Sequence, residues 1–397
     1  MNKIKKIDRL FKDSVLFVID IMKFILYKSI VPFLLFTKPN EFRKEILLVK
    51  TDEIGDYILF RNILAYIKDS KFCEGYKIIL CGNQVWKNIA ESLDINFVDE
   101  FIWLNKKKFS TNINYRIRFL KEIADRRFEI SINCSYSRSF YFDDEIVRVT
   151  NSLQKVGFKT DLSNSYNWQI KLSDKYYSKL INAESVAFEF QKNKILFEKL
   201  FDIKIPLELP KIDPDVINSA IKINDRYAVI FIGGRRSYKR WDIKNFIEVS
   251  KYLVQNYDLK ILLVGSSSEL KLNNKFLEEF EFKNYFLNYT NKTSLTELIK
   301  LIGNADVLIA NDSGLVHIAA SLGTRTIVLT NGTHKGRFLP YPENNKNKLI
   351  VIYPSDLNIK LIQKNIDLNE VKYRSLYDIN KINFSQVIKN LDELISC

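Results

Sequence analysis

Residues 306–323 constrain the fold more than any other stretch of the chain. They begin with an apolar run of strand length, pass through a polar corner, continue as a helical segment of small and apolar residues, and reach Gly323, where a helix would end. Another apolar strand, residues 326–330, follows directly. A strand, a helix and a second strand in this order predict a β-α-β unit, and such units bind ligands at the carboxyl ends of their strands.

The corner of this unit reads Asn311-Asp312-Ser313-Gly314. Asp312 or Ser313 can cap the following helix, and the backbone N–H groups of a helix amino terminus suit an anion such as a phosphate. Gly314 lets a ligand approach the backbone closely, because glycine carries no Cβ. The corner is therefore a candidate phosphate-binding site. The alternative is a capped helix with one buried histidine, His317.

A second connection between a strand and a helix carries glycines and basic residues. The apolar strand 227–232 is followed by Gly233-Gly234, then by Arg235-Arg236 and Lys239. Backbone N–H groups and a lysine both offer positive potential, so the loop suits a phosphate cradle. A basic surface loop is the alternative.

The first half of the chain opens in the same manner. A buried strand is predicted at residues 45–49, Gly55-Asp56 stand in the turn that follows, and a helical pattern begins near Tyr57. A carboxylate at the carboxyl end of a strand, beside a glycine that opens space for substrate, can accept a proton when its pKa is suited to the task. Alternatively, Asp56 only favours the helix amino terminus through the helix dipole.

These residues together carry a family resemblance. Asp312-Ser313-Gly314-x-x-His317, followed by Ala-Ala-x-x-Gly, resembles the signature of glycosyltransferase family 9, the heptosyltransferase-like enzymes. Lys239-x-Trp241 and Gly55-Asp56 are similar to two further motifs of that family, and the three elements follow the family's order. The chain departs from the family in two places: Asp242 stands where a proline is usual, and Ile232-Gly233-Gly234-Arg235 replaces a Pro-Gly-small loop.

The resemblance implies an α/β fold of the GT-B type, with two Rossmann-like domains facing a cleft. It also implies inverting, metal-independent sugar transfer, with Asp56 as the base on the acceptor hydroxyl and Lys239 facing the nucleotide phosphates. The donor-binding residues implied by position are Gly233, Gly234, Lys239, Glu269, Asp312, Ser313, Gly314 and His317, with Gly55 on the acceptor side. Glu269 matches a glutamate that contacts the ribose in the family, and an ordinary acid in the first helical turn is an equal alternative.

The family's best-known donor is ADP-heptose, and its usual acceptor is a lipopolysaccharide core. The resemblance therefore implies a nucleotide-sugar donor and a glycan or glycolipid acceptor as partners. We expect no cofactor, because the nucleotide-sugar is a substrate and no metal-ligand spacing is evident in the sequence. Two alternatives remain: a two-domain nucleotide-sugar epimerase, and a catalytically silent, membrane-associated binding protein with the same fold.

The length and charge of the chain limit its possible domain organisation and its possible partners. The 397 residues suffice for two domains, and we predict them over residues 41–212 and 213–378, with a helix over residues 1–40 and a terminal helix over 379–397. The resemblance implies that the first domain binds the acceptor, that the second binds the nucleotide-sugar, and that the terminal helix packs on the first domain. The formal net charge of +14 suits an acidic partner, and we expect an anionic membrane surface rather than nucleic acid. The four scattered cysteines fit a reducing cytoplasm.

The amino-terminal segment differs in character from the rest. Residues 14–36 are mostly Val, Leu, Ile and Phe, but the run is interrupted in a way that argues against a spanning helix, by Asp20, Lys23, Lys28 and Pro32. A narrow polar stripe recurs at nearly helical spacing on this broad apolar helix: Lys5, Arg9, Lys12, Asp20, Lys23 and Tyr27. The pattern predicts a helix in the membrane interface, on the inner face of the cytoplasmic membrane. Docking on the protein's own surface, and a true span or uncleaved signal, are the alternatives.

One further motif stands outside this scheme. Asp143-Asp144-Glu145 superficially resembles a metal-binding acidic run. It lies in a polar segment with a helical pattern, so we expect a solvated helix face there.

Overall fold

The computed structural model describes residues 18–27, 41–217, 221–342, 348–367, 369–372 and 375–396. Within these ranges the strands form two six-stranded sheets, and helices alternate with the strands along the chain. The predicted α/β class with two Rossmann-like sheets is confirmed. Those parts of the predicted amino-terminal helix that fall on residues 1–17 and 28–40 lie outside the described residues.

The first sheet has the strand order β3-β2-β1-β4-β5-β6. Its strands are β1 (Arg43–Lys50), β2 (Lys77–Asn83), β3 (Glu100–Leu104), β4 (Phe128–Asn133), β5 (Gln154–Phe158) and β6 (Lys179–Ile181). The helices that accompany them are α1 (Ile54–Arg61), α2 (Ile63–Lys68), α3 (Lys87–Leu93), α4 (Lys106–Thr111), α5 (Ile113–Asp125), α6 (Asp143–Val149), α7 (Asn167–Ser173) and α8 (Glu189–Phe201). Central strand β1 pairs in parallel with β4, and its last six residues are buried because helices cover both faces of such a sheet.

The second sheet has the order β12-β11-β10-β7-β8-β9, and all five neighbouring pairs are parallel. Its strands are β7 (Tyr227–Phe231), β8 (Lys260–Leu263), β9 (Phe286–Asn288), β10 (Val307–Asn311), β11 (Thr326–Leu329) and β12 (Leu349–Ile352). Its helices are α9 (Ile243–Tyr257), α10 (Leu270–Glu279), α11 (Leu295–Gly303), α12 (Gly314–Leu322), α13 (Ser355–Ile362), α14 (Asn369–Lys372) and α15 (Phe384–Ser396). In both sheets the first and fourth strands are neighbours at the centre, which is the dinucleotide-binding order with its ligand site at that switch point.

The chain divides into two compact units. Unit 1 takes in the described parts of residues 1–51, 75–81 and 102–180, and unit 2 takes in those of residues 52–74, 82–101 and 181–397. Helix α1 and the loop that follows β7 therefore belong to the same unit. The domain limits expected from the sequence stay a prediction.

Strands β5 and β6 were not predicted, and the terminal helix lies elsewhere than predicted. Strands β5 and β6 are short and begin with Gln154-Lys155 and Lys179, so they lack the apolar run that identifies a central strand. Helix α15 packs Val387, Leu391 and Leu394 into the core of the second sheet, beside Trp241. That position differs from the predicted packing on the first domain, because the apolar stripe of α15 matches its own sheet.

Residues 18–27 are helical and belong to unit 1. Across the described ranges, no helix combines the length and the apolar character that crossing a membrane requires.

Candidate active site

Asn311 organises the switch point of the second sheet. It is the last residue of β10 and is fully buried. Its Nδ2 donates to the carbonyl oxygens of Ile232 and Gly233, both at 3.0 Å, and its Oδ1 accepts from the backbone N–H of Trp241 at 3.0 Å. One amide therefore holds both ends of the loop that follows β7. Asn311 was not among the predicted site residues, although a polar residue that ends an apolar strand could have indicated it.

Lys239 and Asp312 meet at this switch point. Lys239 Nζ lies 3.1 Å from Asp312 Oδ2, and their side chains are 20% and 14% exposed. An ion pair of this exposure contributes little to stability by itself, but it fixes the position of the ammonium group. The structure thus brings together the lysine of one predicted motif and the aspartate of another. The ammonium is placed where an anion at the strand ends would meet it.

The corner after β10 opens directly into α12. The helix begins at Gly314 with Ser313 as its N-cap residue, and the Ser313 side chain makes no capping hydrogen bond. The predicted side-chain cap is therefore wrong: Asp312 accepts from Lys239 instead. The first N–H groups of a helix have no partner within it, and they suit an anion. The predicted end is confirmed, since Gly323 adopts a left-handed conformation with φ of 71°.

The glycine pair after β7 gives the backbone room beside Glu269. A Cβ on Gly233 would lie 2.6 Å from Glu269 Cγ, and Gly234 has a φ of 153°. Glu269 itself closes a capping box: its Oε2 accepts from the Ser266 N–H at 2.9 Å and from the Ser266 hydroxyl at 2.7 Å. The structure therefore shows Glu269 in the role of a first-turn acid. Its contact with a ribose stays a prediction.

Arg235 and Arg236 of the same loop are exposed, whereas Arg240 is partly buried. Arg235 Nη1 lies 3.4 Å from Glu53 Oε1, and both side chains are at least half exposed, so this pair is weak. Arg240 Nε donates to the Gly234 carbonyl at 2.7 Å and helps to shape the loop.

Gly55 and Asp56 lie in the first turn of α1, which begins at Ile54 rather than near Tyr57 as predicted. A Cβ on Gly55 would lie 2.7 Å from His317 Cδ2, and one on Gly314 would lie 3.1 Å from the Gly55 nitrogen. Each glycine is therefore needed for the close approach of α1 and α12. Half-buried Asp56 follows Gly55 in the same turn. The structure thus joins the Gly55-Asp56 motif to the Asp312–His317 motif within unit 2.

His317 is buried and hydrogen-bonded. Its Nδ1 lies 2.6 Å from the Tyr341 hydroxyl, and its Cδ2 faces Gly55. Burial lowers the pKa of His317 to about 4, although the charge of Asp312 opposes the shift, so the ring is neutral at pH 7. Burial also raises the pKa of Tyr341 above its usual value. A neutral, fixed imidazole packs α12 against α1 and carries no charge to the site.

Helix α1 is held by a second buried set of polar groups. Arg61 donates from Nη2 to Asp94 Oδ1 at 2.8 Å and from Nε to Asp94 Oδ2 at 3.2 Å. The Tyr57 hydroxyl donates to Asp94 Oδ2, and the Tyr57 ring stacks on Trp86 with centroids 3.9 Å apart. These contacts fix the helix that carries Asp56.

The loop after β11 adds basic residues near Lys239. Burial, then the positive charges of Arg337 and Lys239, lower the pKa of His334 to about 4. Arg337 is held by Glu189, with 2.7 Å between Nε and Oε2. This loop was not predicted as part of the site, because only the fold brings it close to Lys239. A cavity of about 260 Å³ lies beside it, lined by residues 375–380 with Ser237, Tyr238 and Asn331.

The acidic run in α6 does not form a solvated face as predicted. Asp143, Asp144 and Glu145 are buried. Asp143 accepts from the Thr51 hydroxyl and from the Ser139 N–H, while Asp144 pairs with Arg138 at 3.1 Å. These carboxylates are used in internal hydrogen bonds. Nowhere in the described part of the chain do three His, Cys, Asp or Glu side chains form a group that could hold a metal ion.

Two Rossmann-type sheets, with a lysine and a helix amino terminus at the switch point of the second, match the GT-B fold of glycosyltransferases. The model of glycosyltransferase family 9 (heptosyltransferase) matches residues 145–360, which is more than half of the chain. The chain belongs to this family, and it is a glycosyltransferase. The family resemblance predicted from three short motifs is confirmed.

Known proteins agree with this assignment. Lipooligosaccharide heptosyltransferase 2 of Campylobacter jejuni is 25% identical over 235 residues, which cover 59% of this chain and 68% of the relative. The glycosyl transferase family 9 structure from Veillonella parvula is similar with a TM-score of 0.66 at 18% identity, over 89% of this chain and 98% of that one. The E. coli ADP-heptose lps heptosyltransferase II has the same TM-score and coverages at 15% identity. These two structures establish the shared fold.

Proposed function

We propose that the chain moves a sugar from a nucleotide-sugar donor to a surface-glycan acceptor, with inversion at the anomeric carbon and without a metal ion. The observation that carries the proposal is the packing of Gly55 against His317 and Gly314 within unit 2, which joins the motif of the base to the corner that pairs Asp312 with Lys239. In such a reaction the base acts on the acceptor and the leaving-group residues act on the donor, so the two sets of residues must lie close to each other.

In this mechanism the Asp56 carboxylate removes the proton of an acceptor hydroxyl. The acceptor oxygen forms a bond to the anomeric carbon as the bond from that carbon to the donor's diphosphate oxygen breaks. The ammonium of Lys239 and the first N–H groups of α12, near Ser313 and Gly314, stabilise the charge on the departing diphosphate. His317 is neutral, so it adds no charge at the site and acts by holding α12 in position.

The donor we propose is ADP-heptose, and the acceptor is a lipopolysaccharide core. Support comes from the family assignment and from the names of the relatives, which are heptosyltransferases acting on lipooligosaccharide or lipopolysaccharide. A nucleotide donor and a membrane-anchored acceptor meet at the inner face of the cytoplasmic membrane, where we place the enzyme. The three described cysteines are buried and form no disulfide with one another, in keeping with that compartment.

The test measures nucleoside diphosphate released from ADP-, GDP- and UDP-linked heptoses and hexoses, with and without a purified inner-core acceptor. We expect acceptor-dependent release of ADP and a product whose anomeric configuration is inverted relative to the donor. Interconversion of the donor without an acceptor would indicate an epimerase. Binding without turnover of any donor would indicate a silent binding protein. Either result would contradict the proposal.

A further inference from the structure

The helical segment 18–27 contacts unit 1 through one face. Asp20, Phe24 and Tyr27 share that face, because they are spaced four and three residues apart. The Asp20 carboxylate accepts a hydrogen bond from Gln169 Nε2 at 2.9 Å, and the Asp20 carbonyl accepts one from the Tyr141 hydroxyl at 2.8 Å. The helical segment is thus tied to α7 by a partly buried polar contact.

Two aromatic residues complete this docking face. The Phe24 ring lies 5.3 Å from the Trp168 ring in an edge-on arrangement and 6.1 Å from that of Phe140. The Tyr27 ring lies 3.7 Å from the guanidinium carbon of Arg116, and its hydroxyl donates to the Ser110 carbonyl at 3.3 Å. Two members of the polar stripe predicted from the sequence, Asp20 and Tyr27, therefore face the protein.

The opposite face of the segment is apolar and exposed. This apolar face consists of Val18, Ile19, Met22, Ile25 and Leu26, which are between 43% and 65% exposed. A helix on the surface of a globular domain normally buries its apolar stripe and exposes its polar one. Here the orientation is reversed, and five neighbouring large apolar side chains meet solvent. A contiguous exposed apolar patch marks an interaction surface.

Basic residues lie in the segment itself and in the part of unit 1 that Tyr27 contacts. Tyr27 is hydrogen-bonded to α4. Residues 101–121, which include α4, contain six Lys or Arg residues and no Asp or Glu. Lys107 and Lys108 in α4 are exposed, as is Lys23 within the segment itself. The one acid of the segment, Asp20, is occupied by Gln169.

We propose that the apolar face inserts into an anionic lipid surface, with the basic residues of the segment and of α4 meeting the lipid headgroups. An apolar stripe flanked by lysines matches the two contributions to interfacial binding, which are burial of apolar area and attraction to anionic lipid. A second copy of the chain would bring the same positive charge against this surface and is disfavoured. Such a contact with lipid brings the enzyme to a membrane-anchored acceptor. The role of the contact rests on the proposed function, whereas lipid binding itself does not.

The experiment measures sedimentation of the full chain with phosphatidylcholine vesicles, with and without one-third phosphatidylglycerol. We expect binding to the anionic vesicles, weakened but not abolished by high salt. Met22→Gln combined with Ile25→Gln should lower the partition coefficient about tenfold or more, because two inserting side chains become polar. Lys107→Gln combined with Lys108→Gln should weaken binding only to the phosphatidylglycerol vesicles.

A matched control is available in α13, where Ile359 and Ile362 are 54% and 75% exposed. Ile359→Gln combined with Ile362→Gln should leave vesicle binding unchanged. Vesicle binding of the Met22 and Ile25 variant equal to that of the unaltered chain would overturn the inference. So would a dimer, seen by sedimentation velocity, that the same variant dissociates. No sugar is present in this assay, so failure of lipid binding is distinguishable from failure of the proposed transfer.

Discussion

The Cβ that Gly55 lacks would lie 2.7 Å from His317 Cδ2, closer than real Cβ contacts come. Gly314 faces the same junction from the other side, with its absent Cβ 3.1 Å from the Gly55 nitrogen. Two glycines and one buried imidazole therefore set the distance between the amino termini of α1 and α12. Asp56 lies on one of these helices, and the Asp312 corner precedes the other.

Gly55→Ala should reduce turnover at least tenfold, because the added methyl group displaces either His317 or the first turn of α1. Turnover is measured as acceptor-dependent release of nucleoside diphosphate. Combining Gly55→Ala with His317→Ala provides the control, since removing the ring makes room for the methyl group. The double variant should lose less activity than the two single losses multiplied together. If the loss of turnover in the double variant equals the product of the two single losses, the contact between Gly55 and His317 does not limit turnover.

Asp56→Asn should lower turnover by about 10²–10⁴ while donor affinity changes little, because the amide is nearly isosteric but cannot accept the proton. Steady-state kinetics and donor binding by calorimetry separate the two effects. Glu53→Gln is the matched control, an acid three positions away whose side chain is 50% exposed. Near-normal turnover of the Asp56 variant would remove this residue from the mechanism.

Lys239→Ala should weaken binding of ADP about tenfold or more, because the ammonium that Asp312 positions is lost and the aspartate is left near the diphosphate. Gly314→Val should weaken it as well, since bulk at this position meets the Gly55 nitrogen and the Ile54 side chain. Arg235→Ala, in the same loop but 78% exposed, serves as the control and should have a smaller effect. Equal losses for the lysine and the arginine variants would indicate general attraction of charge, with no specific phosphate contact.

The β10–α12–β11 unit was predictable because its local signals agree with one another. An apolar strand, a polar corner and a glycine at the helix end each favour the same unit, and Gly323 ends α12 as expected. The position of the switch point was predictable from the topology, because parallel strands place their carboxyl ends along one edge of the sheet. Each of the three motifs follows the carboxyl end of a strand, namely β1, β7 and β10.

The contacts that were not predicted depend on partners that are distant in the sequence. Lys239 and Asp312 are 73 positions apart, and their pairing replaces the cap predicted at the corner. Asp143 is buried because Thr51, 92 positions away, donates to it, and no local pattern reveals such a partner. The amino-terminal segment shows the same limit: its polar stripe was recognisable, but the face that contacts the protein was not.

Activity should persist in excess EDTA, because the proposed mechanism stabilises the leaving diphosphate with Lys239 and helix N–H groups. The measurement is the rate of nucleoside diphosphate release after exhaustive dialysis against chelator, compared with the rate after Mg²⁺ or Mn²⁺ is restored. Equal rates within about twofold are expected. A strict requirement for a divalent ion would contradict the mechanism.

The stability of the fold should fall as the pH drops from about 6.5 towards 4. The pKa of His317 is lowered to about 4 in the folded chain by burial, against the opposing charge of Asp312, whereas an unfolded histidine titrates near 6.5. Between these two values the unfolded state binds more protons, so the contribution of His317 to stability is complete above pH 6.5 and is lost as the pH falls. The shift corresponds to roughly 3 kcal/mol for this one group.

Thermal unfolding recorded between pH 7.5 and 4.5 checks this expectation. His317→Gln should be less stable than the unaltered chain at pH 7, because the contact with Tyr341 is altered, yet its melting temperature should fall less steeply towards pH 4.5. His334→Gln offers the comparison, since the pKa of His334 is also lowered to about 4, by burial and by the charges of Arg337 and Lys239. Each single variant should reduce the slope of melting temperature against pH, and the double variant should reduce it further. If the slope of the double variant equals that of the unaltered chain, the acid sensitivity arises from carboxylates and not from the two buried imidazoles.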